Sequence, residues 1–280
     1  MKTLKSRITV LLLGVLLITQ LISFAVIRSS INTNVTSAVR AEVELGGRVL
    51  ERLVRQKRET LTRVAQAIAG DFGFRAAMAS GDAATIQSAL ANHGGRSEVN
   101  LLGFFDRRGQ IEMMIDGDGQ PARMPDAFRH QVPNLAESNQ GGVIAVEGEL
   151  IQYVVSAVRA PIVIGYMLVG FKVDKKFADD LRLLSGIDLS FYSVRSIADA
   201  NSKVSVEAIR PEDALAHANY QGVLARQMAN LKVDSFELEA GGIEYASRLQ
   251  PIGITDGATI QALLRRSIDD AALPYARLQI

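Results

Sequence analysis

VNLLGFFDRRGQIEMMI, Val99 to Ile115, is the stretch whose reading decides the fold. Val99 to Phe105 is an apolar, aromatic-containing run too short for an ordinary helix, and Asp106-Arg107-Arg108-Gly109 closes it with turn-forming residues. Gln110 to Ile115 resumes the strand pattern, so the segment predicts an antiparallel hairpin. The chain before it repeats its apolar residues every three or four positions, and much of the chain after it reads as strands. Downstream, Asp116-Gly-Asp-Gly-Gln-Pro predicts a loop, Asp126 to Glu137 a short helix with a break at Pro133, and Gly142–Val146, Leu150–Val158 and Ile162–Val173 three further strands. Five strands and their helices suffice for one antiparallel sheet covered by helices, an α+β arrangement.

The same order then recurs. Lys175 to Leu184 predicts a connecting helix, and Asp188–Val194 and Lys203–Ala208 predict strands. Pro211 opens a helix over Glu212 to Leu231. Ser235–Glu239, Gly242–Gln250 and Ala258–Leu264 predict three more strands, with Gly241-Gly242 as a hairpin turn, and Ser267 to Gln279 reads as helical. The second set of strands reads shorter than the first.

Upstream, Ile8 to Ile27 (ITVLLLGVLLITQLISFAVI) is an uncharged run long enough, at about 1.5 Å per residue, to cross about 30 Å of hydrocarbon. Lys2, Lys5 and Arg7 precede it and Arg28 follows, which orients the N-terminus toward the cytoplasm and the rest outside. The alternative is a signal peptide cleaved near Ser23 and Ala25, for which the apolar run is long. Val39, Val43, Leu50, Leu53, Leu61, Val64 and Ile68 continue as a helical seam interrupted by Gly46 and Lys57, with Glu44–Arg48, Glu51–Arg55 and Glu59–Arg63 as i,i+4 pairs on the other faces. The seam admits two readings: a helix packed along its own domain, or a stalk paired with a second copy.

Composition narrows the chemistry. The 31 basic and 30 acidic residues leave a net charge of +1, which argues against a nucleic-acid partner. The absence of cysteine excludes thiol catalysis, disulfides and zinc–thiolate sites. His93, His130 and His217 stand far apart without metal-ligand spacing, no Gly-x-Ser-x-Gly elbow occurs, and no Gly-rich loop has a phosphate-binding pattern. Asp116-Gly-Asp118-Gly-Gln120 begins like a calcium loop, but Gln120 and Ala127 stand where that loop needs acids. The expectation is no catalytic set, no metal and no cofactor. His93 falls at a helix end, where it would cap carbonyls or tie the helices to the sheet. Arg107-Arg108 and Lys175-Lys176 read as solvated turn residues.

An anchor, a long helix, two successive five-stranded modules and a closing helix resemble the double Cache sensor region of bacterial membrane receptors. IAGDFGFRAAMASGDAATIQSALANHGGR (Ile68–Arg96), LLGFFDRRGQI (Leu101–Ile111) and LLRRSIDDAALPYARLQ (Leu263–Gln279) look like segments of a subfamily that precedes GGDEF and EAL cyclic-di-GMP output domains. The resemblance implies two tandem PAS-like modules with five-stranded antiparallel sheets. The corresponding division is 1–7 cytoplasmic, 8–27 transmembrane, 28–69 stalk, 70–173 membrane-distal module, 174–187 connector, 188–266 membrane-proximal module and 267–280 an exit helix toward a second span. It implies a periplasmic small-molecule ligand, inner-membrane location, a homodimer through the stalk and no enzymatic activity in this chain. A chemoreceptor or histidine kinase sensor, a tethered periplasmic hydrolase, and a protein-binding tether are the alternatives.

Such modules bind ligands between the sheet and its covering segment. The first module supplies Arg129 and His130 on that segment and Tyr153, Tyr166 and Lys172 on the central strands. Tyr153 lies among apolar neighbours, where its hydroxyl needs a partner, and Arg129 or Lys172 has the charge to hold a carboxylate. Each of these residues taken singly also fits a surface or packing role.

Overall fold

The computed structural model describes the backbone of residues 4–94, 99–123, 131–137, 141–146, 148–196, 204–209, 235–255 and 258–276. Helix α1 runs unbroken from Leu4–Gly70, 67 residues and about 100 Å. No helix among the described residues is long and apolar enough to cross a membrane. Within the uncharged run Ile8–Ile27, side chains are described for 11–24, and the large apolar ones are exposed, from Leu11 to Phe24.

Gly70 to Asp82, expected from its glycines to be a break, is mostly helix: α2 spans Phe72–Ser80. Asp71 supplies the reason, since its Oδ1 accepts the Phe74 amide at 2.7 Å and caps the new helix one residue after α1 ends. Helix α3, Ala83–Gly94, starts where Asp82 Oδ2 accepts the amide (2.9 Å) and hydroxyl (2.6 Å) of Thr85. Those bonds hold the Asp82 carboxyl below its ordinary value.

The first sheet has strands β1 (Leu101–Phe105), β2 (Ile111–Asp116), β3 (Gly141–Val146), β4 (Glu149–Arg159) and β5 (Val163–Lys172), in the order β2-β1-β5-β4-β3, all antiparallel. The short helix α4, Val132–Glu137, precedes β3. Pro133, read as a break, sits in its first turn, where a missing N–H is tolerated. Asp106–Gln110 and Asp116–Gln120 form the same turn twice. In each, the first Asp carboxylate accepts two backbone amides, and the glycine at the fourth position (Gly109, Gly119) has φ +79°. That left-handed backbone favours Gly, and the carboxylate's commitment to amides accounts for a turn where a calcium loop was weighed.

Helix α5, Lys175–Ser185, leads to the second sheet: β6 (Asp188–Ser196), β7 (Val204–Ala208), β8 (Phe236–Ala240), β9 (Ile243–Thr255) and β10 (Ala258–Ser267), in the matching order β7-β6-β10-β9-β8. Helix α6, Ile268–Ala276, follows. The expectation of shorter strands here is wrong, because β9 has 13 residues against 11 in β4. Pro251 lies inside β9 opposite Gln261, where a register shift accommodates its missing N–H. The helix expected over Glu212–Leu231 lies outside the described residues.

The seam of α1 is spent inside the chain. Val35, Val39, Val43 and Leu50 pack with Ile187 of the connector and Phe191, Ile260 and Leu264 of the second module, and Leu61, Ala65 and Ile68 with Phe74, Leu102, Val154 and Met167 of the first. The packed-along-itself reading of the seam therefore holds. The seam residues Val43 (0% exposed) and Leu50 (1%) do not face a second copy. Gly46, read as an interruption, is a seat: a Cβ there would lie 2.6 Å from Ile187 Cγ1. The modules also meet directly, since β3 packs on β9 so closely that Gly253 faces the Val143 carbonyl.

Candidate functional site

Strand alternation divides the first sheet into two apolar faces. Leu102, Phe104, Val154, Met167 and Val169 point to α1, α2 and α3. Leu101, Phe105, Ile151, Tyr153, Val155 and Leu168 point the other way, toward Val132 and Ala136 of α4. A sheet with both faces covered explains why all five residues of β1 are buried.

Tyr153 and Tyr166 lie on this outer face. Tyr153 is 6% exposed, and its ring lies against Gly142, its partner on β3, where an added Cβ would stand 3.0 Å from the hydroxyl. Burial pushes the Tyr153 phenol up to about 12, the positive charge of Arg58 acting in the opposite direction. Arg129 and His130 lie outside the described residues.

The expected set does not converge on one point. Tyr166 and Lys172 are six residues apart on β5, about 20 Å at 3.3 Å per residue. Tyr153 stands opposite Gly170, about 7 Å along the strand from Lys172 and about 13 Å from the level of Tyr166. Spacing along a strand, which a list of residue types does not convey, keeps a small ligand from touching both ends.

Lys172 lies at the strand end, ion-paired to Glu149, with its amide donating to Asn100 Oδ1 at 2.9 Å. It lines a cleft of about 930 Å³ between α1, the Asp116–Asp118 turn, the end of β5 and the start of α5. Lys57 reaches into this cleft from α1, half-buried, with Nζ 3.6 Å from the centre of the Phe171 ring. Sequence reading passed over Lys57 as a fault in the seam. A lysine at an otherwise buried helical position is itself the signal that could have found it.

Elsewhere, His93 Nε2 stands 3.8 Å from Asp71 Oδ1, and its ring meets Phe74 edge-on at 5.6 Å. It links the end of α3 to the start of α2. Lys175 pairs with Asp179 at 2.7 Å. Among the described residues no group of three His, Asp or Glu has the geometry to hold a metal.

Residues 36–264 match the sequence profile described as the double sensory domain of two-component sensor kinase (dCache_3). Among solved structures, a methyl-accepting chemotaxis protein X is similar at 15% identity and TM-score 0.50, covering 84% of this chain and 99% of that one. The extracellular domain of a protein assigned as a histidine kinase is similar at 9% identity and TM-score 0.51, covering 86% and 95%. The ligand-binding domain of the Pseudomonas fluorescens chemoreceptor CtaA, solved with L-serine, is similar at 15% identity and TM-score 0.44, covering 86% and 99%. The first two agree with the fold of two sheets along one helix. No protein of curated function matches the sequence significantly.

Proposed function

The chain belongs to the double Cache family of sensory domains, and on that premise we propose that it is the extracytoplasmic ligand-sensing region of a bacterial inner-membrane receptor. The observation that carries this reading is the single helix α1, which opens with the uncharged run Ile8–Ile27 and then seats both sheets. Any displacement between the sheets is thereby referred to one rod leading to the membrane. The anchor we propose is the uncharged run 8–27, argued from the sequence, of which the described side chains 11–24 are only a part, and it places the residues after Arg28 in the periplasm.

The ligand is a small molecule held on the outer face of the membrane-distal module, residues 70–173. Tyr153 forms the floor of the site, Arg129 and His130 are its polar partners as proposed from the sequence, and Lys172, too far from Tyr166 for one small ligand, is left out of it. The membrane-proximal module, residues 188–266, transmits. Ligand energy moves α1 only to the extent that affinity differs between two arrangements of the modules. The output is a cyclic-di-GMP enzyme. The family's association with two-component sensor kinases favours histidine kinase output as the second reading.

Self-association uses the outward face of α1, where Ala38, Ala41 and Leu45 are exposed in line. Higher up the same face carries exposed Arg48, Arg52 and Arg55, which repel across a parallel pair, so contact is confined to the lower stretch.

A ligand screen by thermal unfolding of the full chain in detergent tests the reading. A ligand at a hundredfold excess over Kd stabilises the folded state by about 2.7 kcal/mol. Arg129→Ala and Tyr153→Phe should each reduce that shift while leaving the unliganded midpoint nearly in place. A ligand whose affinity ignores both changes and depends on residues 188–266 would reverse the roles assigned to the two modules.

A further inference from the structure

Between Leu50 and Leu61 helix α1 has no fully buried side chain, and only Leu53 and Val54 pack partly against the core. Leu50 belongs to the cluster shared with the second module and Leu61 to the cluster of the first. The stretch between adds polar contacts: Glu51 accepts from Gln250 at 2.8 Å, the Val54 carbonyl accepts from Gln152 at 2.6 Å, and Lys57 covers Phe171. The 930 Å³ cleft opens along this stretch.

The charges lining the cleft are not equivalent. Asp116 Oδ1 is committed to the amides of Asp118 and Gln120, Asp174 caps α5 through the Phe177 amide at 3.1 Å, and Glu149 is paired with Lys172. Lys57 differs from these. It is half-buried, and among the described residues no carboxylate pairs with it. An ammonium has three N–H donors and one aromatic face accepts one of them, so a partly desolvated cation is left with donors turned to an open cavity. Asp118, Asp180 and Lys176 line the cleft and are exposed.

The geometry points to a second ligand site in this cleft, distinct from the outer face of the first sheet: a small monocarboxylate held by the Lys57 ammonium, with a hydroxyl or similar donor turned to the rim carboxylates. Asp118 and Asp180, offset in part by exposed Lys176, disfavour a dianion and accept from a neutral donor, which favours a hydroxy-carboxylate over phosphate or a dicarboxylate. The site joins α1, the first sheet and α5 beside the apolar cluster that also packs them, so its occupant bears on how the two modules sit together. The proposal does not rest on the outer-face site.

The test uses the full chain in detergent micelles, with sodium glycolate and sodium lactate as probes against sodium chloride at equal ionic strength. Trace acetylation of lysines, read by mass spectrometry, should show a saturable fall of at least threefold at Lys57 and none at Lys175. The accompanying rise in melting temperature should persist in Lys57→Arg and vanish in Lys57→Met. The acetylation measurement needs no variant, so it stands even if Lys57→Met folds poorly. Acetylation of Lys57 that ignores both probes, or falls equally with chloride, overturns the site. A melting shift that survives in Lys57→Met and is lost in Tyr153→Phe also overturns it and leaves the outer-face reading in place.

Discussion

Gly46 and Gly47 are neighbours in α1 with opposite surroundings, and alanine at each separates helix propensity from packing. Replacing Gly by Ala inside a helix contributes about 1 kcal/mol through backbone entropy alone. At Gly46 the new methyl would lie 2.6 Å from Ile187 Cγ1 and 3.3 Å from its Cβ, and Ile187 is fully buried with little room to retreat. Overpacking of that kind costs about 1–3 kcal/mol, so Gly46→Ala should be neutral to destabilising by about 2 kcal/mol. At Gly47 the nearest atoms are Gln250 Oε1 at 3.0 Å and Arg248 Nε at 3.7 Å; Gln250 is buried and bonded to Glu51, but a carboxamide end shifts more readily than the branched Ile187, so part of the propensity gain should survive. The propensity gain cancels in the comparison, which leaves Gly47→Ala more stable than Gly46→Ala by about 1–3 kcal/mol. In a domain of 150–250 residues 1 kcal/mol moves the melting temperature by about 2–4 °C, a separation readable by calorimetry of the full chain. A double-mutant cycle with Ile187→Ala should recover at least about 1 kcal/mol of the Gly46→Ala loss. Equal stabilisation by both alanines would refute the reasoning and return the seam of α1 to a partner outside this fold.

Gln152→Leu should raise stability by up to about 1 kcal/mol in urea unfolding: it removes one bond to the Val54 carbonyl but also a buried amide oxygen without a partner among the described residues. A lower midpoint would mean that this oxygen is satisfied in solution. Tyr153 has a folded pKa of about 12 against an ordinary 10.0, so its contribution is fully present below pH 10 and lost as pH rises through about 12. Wild-type stability should therefore fall more steeply than that of Tyr153→Phe over that window, and parallel profiles would contradict the buried phenol. Single cysteines at Ala38, Ala41 or Leu45 should crosslink two copies in membranes and those at Val43 or Leu50 should not, because the latter are covered by the chain's own sheets; the reverse pattern would exclude the outward-face dimer.

Local pattern was enough for element type and order. Short apolar runs bounded by Asp and Gly marked the strands of Leu101–Phe105 and Ile111–Asp116, because extended backbone and tight turns depend on neighbours only a few residues away. The repetition of that order along the chain was equally readable, and with it the resemblance to a double sensory region. Local pattern failed where one residue type has two physical uses. The glycines around Asp71 suggested a break, and an aspartate cap made a helix instead; the strand expected to end at Gln250 runs on through Pro251, where an extra residue in β9 shifts the register.

Whether the seam of α1 faced its own sheets or a second copy was open in the sequence, since both bury the same apolar residues at the same helical spacing. Contacts between residues more than a hundred positions apart, such as Gly46 against Ile187, decided it. The candidate site divides the same way. The outward alternation of Tyr166 and its six-residue spacing from Lys172 are properties of a single strand, and the place of Tyr153 between them follows from strand pairing, whereas the turning of Lys57 from a seam fault into a half-buried cation facing an open cleft arises only when the helix is laid across the sheet.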